Sequence, residues 1–221
     1  EDPITGESFM DLFTSEQDKK GKWSTPTPLN NTVNTVSNEG GSCMDKKRST
    51  MYFTRCVYEK KSNFACDIYM AKKVGTKFGP AEPMNIINRE ENDSSQVGHP
   101  CLTPDEMYML FASDMPGGKG GKDIWYMKYD KKTKAWGNPT NLGGDVNTSG
   151  DEMFPHVAQD GTLYFSSNGH DGLGGLDIFM AEAASEGLNF GEISALDYPI
   201  NSASDDFGLI KNKDKDEGYF T

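Results

Sequence analysis

Asp67-Ile68-Tyr69 returns as Asp123-Ile124-Trp125 and Asp177-Ile178-Phe179, and in weaker form as Asp11-Leu12-Phe13, so the marker recurs about every 55 residues. Two further markers keep the same period. Trp23, Phe78, Trp136 and Phe190 follow the first marker at a near-constant distance. Val33-Asn34, Ile87-Asn88, Val146-Asn147 and Ile200-Asn201 come next. Three markers in step identify a repeat array in which each unit is one supersecondary element.

Within a unit the signals are those of short strands. Thr162-Leu163-Tyr164-Phe165-Ser166-Ser167 has the apolar and aromatic content of a strand, entered through the Asp160-Gly161 turn. Met51-Tyr52-Phe53-Thr54, Met109-Leu110-Phe111-Ala112-Ser113 and Tyr219-Phe220-Thr221 match it. An apolar segment precedes each, such as Phe154-Pro155-His156-Val157 or Phe207-Gly208-Leu209-Ile210. A loop, the Asp-Ile-aromatic strand and a weaker edge segment follow. No apolar period near 3.6 persists, so helices are expected to be few.

Four antiparallel strands every 40 to 60 residues is the pattern of a β-propeller blade. The expected fold is therefore all-β: a single β-propeller domain over residues 1–221 with four repeats of four-stranded blades, beginning and ending inside a blade. The end pieces either join into one blade or belong to a parent of five or six blades.

Composition limits the partners. The 221 residues carry a formal charge of -12, which opposes nucleic acid and anionic membrane surfaces. No apolar run approaches the length of a membrane span.

The segments Val97-Gly98-His99-Pro100-Cys101-Leu102-Thr103-Pro104-Asp105, Gly150-Asp151-Glu152-Met153-Phe154-Pro155, Leu163-Tyr164-Phe165-Ser166-Ser167-Asn168-Gly169-His170 and Asp205-Asp206-Phe207-Gly208 also carry a family likeness. They resemble the TolB-like propeller of OmpA-family envelope proteins in Bacteroidota, including those of the type IX secretion system. The resemblance implies a non-enzymatic, periplasmic, outer-membrane-associated scaffold whose partners are other envelope or secretion-system proteins. Peptidoglycan would be reached only through domains outside this chain.

Cys56 ends one strand and Cys66 begins the next, so a hairpin sets them opposite each other. They read either as a disulfide or as two unpaired small residues, and the geometry favours the disulfide. Cys43 and Cys101 read as buried free thiols. No short cysteine spacing points to zinc, and no cofactor or metal is expected. His99 and His156 read as structural. The loops Gly117-Gly118-Lys119-Gly120-Gly121-Lys122 and Gly172-Leu173-Gly174-Gly175-Leu176 lead into strands, so they are hairpin glycines and not phosphate cradles.

Glu39, Asp93, Asp151 and Asp205 follow the Val/Ile-Asn markers. Set around one channel mouth they would focus a negative field on a basic partner; as turn acids they would be merely solvated. Both readings stand at this level. The rival to a scaffold is a carbohydrate-active propeller, lectin or glycosidase, the latter needing two carboxylates across a sugar-sized cleft.

Overall fold

The computed structural model describes residues 9–57, 65–87, 94–185, 187–212 and 217–221. It is a β-propeller, with no helix among the described residues. A leading half-blade pairs β1 (Phe13–Thr14) with β2 (Thr27–Pro28). The first full blade comprises β3 (Asn38–Met44), β4 (Thr50–Val57), β5 (Ala65–Val74), β6 (Lys77–Phe78) and β7 (Glu82–Pro83). The second comprises β8 (Val97–Leu102), β9 (Tyr108–Ser113), β10 (Asp123–Asp130), β11 (Ala135–Trp136) and β12 (Thr140–Asn141). The third comprises β13 (Glu152–Val157), β14 (Leu163–Ser167), β15 (Asp177–Ser185) and β16 (Asn189–Ala195). A trailing half-blade pairs β17 (Ile210–Lys211) with β18 (Gly218–Tyr219).

Each full blade is an antiparallel meander in chain order, with the fourth strand split in two in the first and second blades. The second strand is sandwiched between neighbouring blades and so is apolar on both faces. Met109, Leu110, Phe111 and Ala112 are all buried in succession, as expected of a strand covered on both sides. Phe53, Phe111 and Phe165 hold the same position in β4, β9 and β14 and are fully buried. The cores lie between blades: Ile68, Met109, Phe111 and Trp125 pack between the first two, and Leu110, Ile124, Phe165 and Phe179 between the next two.

The repeat markers have a mechanical explanation. The Asn147 side chain accepts a hydrogen bond from the Ile124 N–H (2.8 Å) and donates to the Ile124 carbonyl (2.9 Å). Asn201 does the same to Ile178, and Asn34 to Leu12. The amide thus stands in for one residue of an added strand and ties each blade to the entry of the next. Asn88 lies outside the described residues. The aspartates hold loops: Asp177 accepts from the Leu173 and Gly174 N–H groups, and Asp123 from the Lys119 N–H.

The two half-blades meet. Trp23 lies edge-on to Tyr219 at 6.0 Å, matching the contact at 6.4 Å between Tyr52 of the first blade and Trp136 of the second. Trp23, in core register by sequence, is nevertheless half exposed at 49%, because only part of a blade stands on either side of it.

Candidate functional site

The innermost strands converge on the axis, and each breaks its ladder at one place. Register shifts fall between Gly40 and Ser42, Gly98 and Cys101, and Met153 and His156. The residue at the break has positive φ: Gly41 (36°), His99 (54°), Phe154 (51°), and Gly208 (71°) in the trailing half-blade. Such bulges bend a strand and re-aim its side chains. Glycine takes this conformation freely, whereas bulky His99 and Phe154 sit there only because their surroundings hold them. Thr54 Oγ1 accepts the His99 N–H at 2.8 Å and fixes one of them.

The aromatic side chains form a stack across three blades. His99 and Phe154 lie almost parallel at 3.8 Å, and Phe154 and Phe207 at 5.0 Å. The stack forms part of the wall of an axial cavity of about 440 Å³, within the usual size range of small-molecule sites. Beside it the first inner strand carries glycine: a Cβ on Gly41 would press on His99. Cys43, Cys101 and His156 line the cavity further along the strands.

Burial makes these groups neutral. It lowers His99 to about pKa 4, helped by the positive charge of Lys122. Its Nδ1 is buried without a partner. Burial also lowers His156, whose Nε2 accepts a hydrogen bond from the Lys211 amide (3.1 Å). It raises Cys101 to about 11 and Cys43 well above the ordinary thiol value. Both thiols are free, and Cys56 and Cys66 form a disulfide.

The acids chosen from the sequence do not share one repeat position. Glu39 is buried and receives the Arg55 guanidinium at 2.8 Å, along with the Thr35 hydroxyl and amide. Its counterparts are Glu152, which accepts from Thr148 and Ser167, and Asp206, which accepts from the Ser202 N–H. Asp151 and Asp205 stand one residue earlier and bind the Gly-rich loop of the preceding blade, through the Lys122 and Leu176 N–H groups. Asp93 lies outside the described residues. Glu39 is therefore committed internally and does not face the channel mouth. Among the described residues no three His, Cys, Asp or Glu side chains are grouped to hold a metal.

The sequence reading missed the stack. Aligning the repeats on Glu39, Glu152 and Asp206 places Gly41, Phe154 and Gly208 in one column, the positive-φ position, but leaves His99 and Phe207 outside it.

No family model and no curated protein matches the sequence. Solved structures do. A thermostable family-43 glycoside hydrolase aligns with a TM-score of 0.52 at 13% identity, over 94% of this chain and 74% of that one. The endo-arabinase of Bacteroides thetaiotaomicron gives 0.52 at 13%, over 99% and 90%. A protein of unknown function from Dyadobacter fermentans gives 0.54 at 11%, over 89% and 55%. What they share with this chain is the propeller fold.

These findings correct the family reading. The resemblance to TolB-like, OmpA-family propellers has no family match behind it, and several of the fold neighbours are glycoside hydrolases instead. The short motifs that suggested it include the bulges in the first strands, which recur between this chain's own blades. The inferences of a type IX secretion scaffold and of a non-enzymatic module fall with it.

Proposed function

We propose that this chain is a carbohydrate-active β-propeller that receives a sugar ring in its axial cavity. The observation that carries the reading is the His99, Phe154 and Phe207 stack on the cavity wall. His99 and Phe207 both stack on Phe154, and the partly exposed Phe207 at the end of the stack is the ring this reading assigns as the platform. Aromatic faces suit the C–H-rich face of a sugar, and a few polar groups then fix its orientation. The hydrolases that share the fold support the same ligand class.

Binding and cleavage make different demands. Cleavage takes two carboxylates about 5 to 10 Å apart, and no carboxylate lines the cavity among the described residues. Asp151 and Asp205, at the entrances to their inner strands, are the acids nearest solvent for that role. The single-domain organisation over residues 1–221 belongs to this proposal, supported by the Trp23–Tyr219 contact. So does an oxidising compartment, where the Cys56–Cys66 disulfide persists.

The test is a glycan array followed by calorimetry on the hits, with arabinan and arabino-oligosaccharides included. Released reducing ends are measured in parallel. Saturable binding that Phe207→Ala abolishes supports the reading, and reducing-end release that is lost in Asp151→Asn or Asp205→Asn adds hydrolysis. Absence of binding to any glycan refutes it.

A further inference from the structure

The axial cavity has no charged side chain in its described lining, although the chain is strongly acidic. Among the described residues no Asp, Glu, Lys or Arg lines it, while the formal charge of the whole is -12. Its two imidazoles are held neutral at ordinary pH, as burial disfavours their charged forms.

The same strands carry negative charge just before they reach the cavity. Glu39, Glu152 and Asp206 are buried at the entrances to three inner strands. The Arg55–Glu39 bridge is the one ion pair among the described residues, so Glu152 and Asp206 are held there by hydroxyl and N–H donors without a cation. Lys122 is the cation whose field reaches His99, and its side chain does not line the cavity.

An anion entering this space would lose its hydration without gaining a cationic partner, which is costly. It would also meet the field of the buried carboxylates. A neutral hydroxyl-bearing ring meets neither penalty, and the uncharged imidazole of His99 offers it a hydrogen-bonding group. We infer that the axial cavity selects uncharged sugars and rejects their uronate counterparts, its walls supplying stacking and hydrogen bonds but no cation. This inference rests on the carbohydrate reading above and narrows it to neutral glycans.

A matched pair tests it: methyl β-D-glucopyranoside and methyl β-D-glucuronide, which differ only in a hydroxymethyl group against a carboxylate. Affinities are measured by saturation-transfer NMR and calorimetry on the full chain. The glucoside is expected to bind at least about tenfold tighter, a gap of roughly 1.4 kcal/mol. Leu209→Lys, which adds a cation to the lining, should close that gap; Ser42→Lys, at an exposed position of the same lining, repeats the test if the first variant does not fold. Equal affinities, or a preference for the glucuronide, would overturn the inference.

A second pair separates this idea from the carbohydrate reading. If neither glycoside binds, benzyl alcohol and benzoate are compared in the same way. Binding of the alcohol alone keeps the charge rule while the sugar reading falls. Binding of benzoate, or of none of the four probes, sinks the inference.

Discussion

Replacing Asn147 by Ala should destabilise the propeller by about 2–4 kcal/mol, and the structure shows where that comes from. The side chain is buried and makes three hydrogen bonds: from the Ile124 N–H, to the Ile124 carbonyl and to Asn141 Oδ1. After truncation the Ile124 carbonyl keeps the Leu142 N–H, and Asn141 Oδ1 keeps the Gly143 N–H. The Ile124 N–H alone loses its partner, at a position with no solvent exposure. Leaving that donor unmet costs about 1–3 kcal/mol, and the two other lost bonds about 0.5–1.5 each before relaxation. Asn147→Asp sharpens the test. It retains the acceptor for the Ile124 N–H but turns an oxygen toward two other oxygens, so it should be at least as damaging as Ala. Asn34→Ala should cost less, since its partner Leu12 is only half-buried. Urea unfolding followed by tryptophan fluorescence measures all three. A loss under about 0.5 kcal/mol for Asn147→Ala, or a benign Asn147→Asp, would refute the idea that the amide substitutes for strand pairing.

Three further outcomes are expected. Because His99 is lowered to about 4 from 6.5, the fold favours the neutral ring: its contribution is complete above about pH 6.5 and is lost as pH falls toward 4, by roughly 3 kcal/mol. His99→Gln should flatten stability across that window, and an unchanged acid limb in this variant would show that His99 is not the group responsible. Phe111→Ala should lower stability by about 3–5 kcal/mol, since a fully buried ring between two blades leaves a cavity there; a shift under about 1 kcal/mol in the denaturation midpoint would contradict that packing. Reducing the Cys56–Cys66 bond should cost about 2–3 kcal/mol by loop-closure entropy, read as a lower melting temperature with reductant that Cys56→Ser reproduces.

Much of the fold was legible because a repeat shows the same local solution several times. Each blade must satisfy the Ile N–H and carbonyl of its third strand, so Asn34, Asn147 and Asn201 recur with Leu12, Ile124 and Ile178. The second strands of the second and third blades are covered on both faces, so their buried positions run on without alternation. The placement of Cys56 opposite Cys66 followed from hairpin geometry alone. The acids were harder. Glu39 and Asp151 are one step apart in the repeat, and along an extended chain one step turns a side chain to the other face. That difference made one a buried ion-pair member and the other a loop anchor, and the motif signals for both were the same.

The sequence by itself determined the period, the strand count per blade and the residues that join one blade to the next, because these depend on contacts within or between adjacent repeats. Only the tertiary structure decided the axis. His99, Phe154 and Phe207 come from three blades and meet because bulges with positive φ turn the inner strands at matching positions. Nothing local distinguishes a His or Phe that will meet two other rings from one that will face a sheet. Their stacking, and the neutrality of the cavity they enclose, arise from closing the chain about a centre.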